Sequence, residues 1–341
     1  MIKKGVHLMT EFNALDLFCG AGGLSAGLEK AGINVLAGID FNEDAIETFK
    51  KNHKGAQGLC KDMTQVSASE VKRLCKNKKI HLIAGGPPCQ GFSMAGKRVP
   101  SDPRNSLFKE FLRLVKSLNP DVCLMENVRG LLSMKTPKGK KVIDVILDEY
   151  RKLGYDAKVY SINTANYGVP QKRFRIFIIA KKKRITFKFP KETHSETGKN
   201  HEGNRIKKWT SINKILEPKN KVEEKYFYSP KLIRGFKRRE KKNKERGMGF
   251  GWKFLDLKKP SSTISARYYK DGAEALVKYS EKEIRMLTPR ECASIQSFPK
   301  SFKFCGSKNS TYQQIGNAVP PLMGKHLGLA IKKSLEDKYN D

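Results

Sequence analysis

The stretch "ALDLFCGAGGLSAGLEKAGINVLAGID" constrains the fold more than any other part of the chain. An apolar run at 14–19 enters a turn carrying Gly20, Gly22 and Gly23, a helical segment follows, and a second apolar run covers 33–39. Three more runs of the same kind lie further on: "IHLIA" (80–84), "DVCLM" (121–125) and "FRIFIIA" (174–180). The segment "SLFKEFLRLVKSL" places Leu107, Phe108, Phe111, Leu112 and Val115 on one helical face, and "VIDVILDEYRKL" does the same with Val142, Ile143, Ile146, Tyr150 and Leu153. Strands alternating with helices demand crossover connections. The pattern therefore predicts an α/β fold: a doubly wound, mostly parallel sheet with helices on both faces.

From residue 186 the alternation stops. The region 186–280 is rich in Lys, Asn, Gly and Ser, with aromatics scattered among the bases, and reads as a smaller irregular domain. Helical patterning resumes over 280–298 and again over 321–335. The expected organisation is a catalytic and cofactor-binding domain at 1–185, a second domain at 186–280, and a helical segment at 281–341 that returns to the first domain.

Charge indicates the kind of partner. The chain holds 68 Lys and Arg against 34 Asp and Glu, a net charge of +34, and residues 181–260 alone carry 26 basic and 9 acidic residues. A lysine-rich background would spread this excess evenly. Its concentration in one stretch favours nucleic acid. No apolar run reaches the roughly 20 residues that span a bilayer, and the N-terminal stretch has no signal-peptide pattern, so a cytoplasmic location is expected; a monomer is the default expectation. The seven cysteines form no C-x-x-C pair. Neither a zinc site nor a disulfide framework is expected from that spacing.

Glycines after a first strand let the backbone approach a ligand at a helix N-terminus. Here they do not follow G-x-G-x-x-G, which counts against a nicotinamide dinucleotide. Asp40 ends the second strand, placed to accept hydrogen bonds from a ribose diol; Phe41 beside it can stack on a base, and Asp62 can reach an adenine amino group. Each alone reads as a turn or cap residue. Together they outline an adenosine-type pocket.

"GGPPCQGFS" sets Cys89 behind Pro87 and Pro88 at a strand C-terminus, where α/β folds place their sites. A buried inert thiol is the commoner fate of cysteine; a stiff, bare loop favours an activated nucleophile. "MENV" ends the next strand with Glu126, a carboxyl expected in apolar surroundings and suited to acid catalysis. "QKRFR" brings Arg173 and Arg175 to one side of a strand start. Taken singly, these three are ordinary salt-bridge or strand-end residues.

The ordered set "DLFCGAGG", "GGPPCQGFS", "MENV", "QKRFR", "TPRE" and "QQIGNAVPP" resembles the DNA (cytosine-5)-methyltransferases, in that family's order and over essentially all the chain except 186–280. The resemblance implies an S-adenosylmethionine-dependent methyltransferase fold, with 186–280 as the target-recognition domain, like the single-chain enzymes of type II restriction–modification systems. By motif, Cys89 is the nucleophile, Glu126 contacts the base edge, Arg175 holds the O2 side and Arg173 supports the site. The S-adenosyl-L-methionine pocket falls to Phe18, Gly20, Gly22, Gly23, Leu24, Asp40, Phe41, Asp62, Pro88, Leu107, Asn317 and Val319. Double-stranded DNA is the implied partner, touched by Ser93, Lys97, Arg98, Thr263 and Arg267; the likeness to restriction–modification enzymes leaves open a cognate restriction endonuclease acting on the same site, with no stable complex implied. One departure is Asp40, where Glu is usual. One branch of the family modifies transfer RNA; the "GFS" after "PPCQ" favours DNA.

Overall fold

The computed structural model describes residues 11–88, 107–137, 139–247, 252–271 and 273–340. A seven-stranded sheet is built from β1 (Asn13–Leu17), β2 (Asn34–Asp40), β3 (Gln57–Cys60), β4 (Leu82–Gly85), β5 (Val122–Val128), β6 (Tyr155–Asn163) and β7 (Phe174–Lys182). Their order is β3-β2-β1-β4-β5-β7-β6. All neighbours pair in parallel except β7, which runs antiparallel to β5 and β6.

Side chains alternate across this sheet with the period of two that a strand imposes. Leu15, Leu17, Cys123, Met125, Ile176 and Ile178 face a core that includes α3 (Ala68–Leu74), α4 (Leu107–Leu118) and α5 (Val142–Lys152). Ala14, Val122, Leu124, Phe177 and Ile179 face the other core, with α1 (Gly23–Lys30), α2 (Glu43–Asn52) and α10 (Pro321–Asn340). The amphipathic reading of α4 and α5 is met: Phe108, Phe111, Val115, Val142, Ile146 and Tyr150 are all buried.

Beyond β7 come the short pairs β8 (His194–Ser195) with β9 (Lys207–Lys208) and β10 (Val277–Lys278) with β11 (Ile284–Arg285). The helices here are α6 (Pro230–Glu245), α7 (Tyr268–Asp271), α8 (Pro289–Ile295) and α9 (Lys308–Asn317). A third core joins residues on either side of position 280, among them Ile212, Ile264, Tyr268, Leu287, Cys292, Phe302, Tyr312 and Ile315. The helical reading of 280–298 holds only for its second half. Ile284 and Arg285 are in a strand, and the helix starts at Pro289 behind Thr288, which forms a capping box with Glu291. Among the described residues no helix is long and apolar enough to cross a membrane.

Candidate active site and cofactor pocket

The C-terminal ends of β1, β2, β4 and β5 and the start of antiparallel β7 meet along one edge of the sheet, because Leu17 pairs with Gly85, Gly85 with Met125, and Val128 with Arg175. This is the edge at which doubly wound sheets bind ligands. Cys89, Ser93, Lys97 and Arg98 lie outside the described residues. The approach to Cys89 is described as far as Pro88.

That approach is held from β5. The Asn127 side chain donates to the Pro87 carbonyl at 3.0 Å and accepts from the Val128 amide at 2.9 Å. Beside it, Glu126 pairs with Arg175, Nε to Oε1 at 2.9 Å, both side chains being largely covered. The carboxylate thus has a charged partner in place of the apolar surroundings its sequence suggests. A methyl group on Gly86 would sit 3.1 Å from the second Glu126 oxygen, so glycine there lets the loop pass close over the carboxylate. Asn127 has no motif of its own to mark it; its only signal is a polar amide beside Glu126 in a strand whose other residues are apolar. On the expectation that Cys89 is the nucleophile, Asn127→Ala should lower kcat about 10- to 100-fold, since displacing such a loop by around an ångström has that effect. Cofactor affinity should hardly change; steady-state kinetics with a cofactor titration separates the two.

Arg173 is only 1% exposed. Its guanidinium donates to the carbonyls of Gly316, at 2.8 Å, and Ile264, at 3.3 Å, while Arg175 goes to Glu126. The two arginines are not at a solvated strand end, and they have separate partners. Arg173 pins β7 to α9 and to the segment after 260. Thr263 lies in the same joint, donating to the Lys172 carbonyl at 2.8 Å, whereas Arg267 is exposed.

At the other end of the edge, the turn after β1 has positive φ at Phe18 (56°), Gly20 (52°) and Gly22 (85°). A methyl on Gly22 would come within 2.3 Å of Nε2 of buried His53, whose Nδ1 lies 2.8 Å from Glu29. His53 is therefore the floor of the turn, a role with no sequence signature. Asp40 ties the turn to β2: its Oδ2 accepts from the Gly20 amide at 2.9 Å and its Oδ1 from the Asn42 amide at 3.0 Å. Each oxygen keeps a further lone pair. Phe41 is 72% exposed, so its ring is free to stack. Asp62 is exposed and caps a short turn through the Thr64 amide and hydroxyl, the ordinary role its position allows.

Leu24 is buried in α1, Pro88 and Leu107 are half-buried, and Asn317 is exposed at the end of α9. The Val319 carbonyl lies 2.5 Å from where a Gly23 methyl would sit, which closes the chain's C-terminal part over the turn. The residues fit an adenosyl ligand. Among the described residues a methyl at Gly20 would meet nothing within 4 Å, and the turn lies beside a carboxylate and an exposed ring.

Asp16, at the end of β1, accepts from the Ser25 hydroxyl at 2.6 Å. Burial outweighs that hydrogen bond and pushes its pKa up to about 7. The folded state therefore holds a proton that the unfolded chain has released between about pH 4 and 7, and folding stability falls as pH rises through that window. Asp16→Asn should remove this dependence, with denaturation midpoints at pH 5 and pH 8 drawing together.

With this geometry in place, relatives define the class. The C-5 cytosine-specific DNA methylase family model matches residues 12–333, and the chain belongs to that family of methyltransferases. It is 34% identical over 334 residues to the type II methyltransferase M1.HphI of Haemophilus parahaemolyticus, covering 94% of this chain and 86% of the relative. Identity is 33% over 313 residues to M.NlaX of Neisseria lactamica, covering 90% and 92%. Among solved structures, a variant of DNMT2 from Spodoptera frugiperda superposes with a TM-score of 0.70 at 22% identity, covering 95% of this chain and all of that one. This likeness is one of fold.

Proposed function

We propose that the protein transfers a methyl group from S-adenosyl-L-methionine to C5 of a cytosine flipped out of a specific duplex DNA sequence, and that it protects host DNA in a restriction–modification system. The reading is carried by the Glu126–Arg175 pair standing beside the tethered Gly86–Pro88 approach to Cys89 at the sheet edge that also bears the glycine turn. Cytosine C5 is too poor a nucleophile to take a methyl group unaided. The Cys89 thiolate adds to C6, forming an Sγ–C6 bond and making C5 enamine-like. Glu126 in its protonated form donates to N3 and accepts from the exocyclic amine, so that its proton offsets the negative charge the thiolate brings to the ring, and Arg175 holds the O2 side. The bound cofactor supplies an electrophilic methyl group on a sulfonium. Once C5 is methylated, a base removes the C5 proton, the Sγ–C6 bond breaks and the aromatic ring returns.

A base stacked in a duplex cannot be attacked this way, so eversion is required. Ser93, Lys97, Arg98 and Arg267 are proposed to contact DNA, while Thr263 acts from the joint. Residues 186–280 are proposed as the target-recognition domain, acting in a monomer in the cytoplasm. Radiolabelled methyl transfer to duplex DNA and to transfer RNA, followed by bisulfite sequencing of the DNA, tests the reading. Modified cytosines within one repeated sequence are expected; methylation confined to RNA would overturn it.

A further inference from the structure

The geometry points to α6 as a docking face for the phosphate backbone of duplex DNA, a surface that governs affinity without reading sequence. This rests on the DNA-methyltransferase reading and assigns one element of it. The helix "PKLIRGFKRREKKNKE" holds eight basic and two acidic residues. Ile233 is buried against Leu276 and Ile284, with Phe236, Glu240 and Asn243 partly covered on the same side. On the opposite side Lys231, Arg234, Arg238, Lys241 and Lys242 are all exposed. Spacings of three, four and seven residues put these five on one stripe. From first to last the stripe runs about 17 Å, the axial span of about five phosphates of one strand.

Several surface bases elsewhere are paired with acids on their own element or a neighbouring one. On α2, Lys50 pairs with Glu47; on α5, Lys152 pairs with Glu149 and Arg151 with Asp148. The Lys219–Glu283 and Lys253–Glu274 pairs do the same in the basic region. The one ion pair made by α6 among the described residues, Lys237 to Glu281, lies off the stripe and fastens the helix to the β10–β11 hairpin. Like charges three and four residues apart repel, and a helix whose first turn holds Lys231 and no acid also opposes its own dipole. A solvated face is normally built with mixed signs. On this face five bases precede one acid, Glu245 in the last turn, and such a basic stripe on a helix anchored by its other face is complementary to a polyanion.

The test compares the unaltered protein with a Lys231→Gln/Arg234→Gln/Arg238→Gln/Lys241→Gln variant and with a Lys50→Gln/Lys152→Gln control. Binding to a labelled duplex of random sequence is followed by anisotropy across a salt series. The slope of log affinity against log salt should shrink by about 3 to 4 in the four-site variant and stay unchanged in the control. Should that variant lose its helical circular dichroism, Arg234→Gln/Arg238→Gln is measured instead, with an expected loss of about 2. An unchanged slope overturns the assignment of α6, as does a slope that falls only on a hairpin RNA. Methyl transfer to DNA by the unaltered protein is assayed in parallel: its absence defeats the enzyme reading, its presence with an unchanged slope defeats only α6.

Discussion

Replacing Cys89 by serine should lower methyl transfer by on the order of 10⁴-fold or more while duplex DNA is still bound. The expectation follows from electron supply. A thiolate is available near neutral pH and is a strong nucleophile toward an electron-poor carbon, whereas a serine hydroxyl keeps its proton and has no adjacent base assigned to remove it. Without addition at C6, C5 has no enamine character, and neither Glu126 nor Arg175 can substitute, since neither is a nucleophile toward C6 in its proposed role. DNA affinity comes from other residues and should persist. An oligonucleotide carrying 5-fluorocytosine at the target gives the complementary result. After methyl transfer C5 bears fluorine where a proton must leave, so the Sγ–C6 bond cannot break. A cofactor-dependent covalent complex mapped to Cys89 by mass spectrometry is expected for the native protein and absent for Cys89→Ser. Substantial turnover by the serine variant would overturn the nucleophile assignment.

The parts of the fold that were legible are those whose order follows from local pattern. Five apolar runs and the helices between them specify a doubly wound sheet because buried parallel strands leave continuous apolar stretches. Strand β6, with its half-buried residues, and the two-residue pairs β8–β9 and β10–β11 leave no such trace. Glu126 and Arg175 were legible as site candidates because charged residues at strand ends are conspicuous. Their mutual pairing was not, since it depends on β5 and β7 lying side by side although Glu126 and Arg175 are far apart in sequence. The same holds for Arg173, whose partners Ile264 and Gly316 are distant in sequence and offer only backbone carbonyls, which no composition or motif reveals. His53 and Asn127 act on backbone too, one beneath Gly22 and one on Pro87.

Glu291→Gln should destabilise the protein by about 3 to 5 kcal/mol, the second large effect expected here. Glu291 and Arg285 are both fully buried and joined by two parallel hydrogen bonds, at 2.7 and 2.8 Å. The same carboxylate accepts from the Glu217 amide at 2.9 Å and the Thr288 amide at 2.8 Å, so one side chain fastens three stretches of chain and caps α8. An amide can accept some of these bonds but cannot match a guanidinium, and it turns donor hydrogens toward Arg285 in the position of one oxygen. The buried cation is then left without a counter-charge, the condition that makes a broken internal pair so costly. Replacing both partners, Arg285→Met with Glu291→Leu, should recover part of the loss, because no uncompensated charge remains; the capping and Glu217 contacts stay lost. Guanidinium denaturation midpoints for the two variants and the parent check this. If Glu291→Gln is no less stable than the double variant, the pair does not hold this region together.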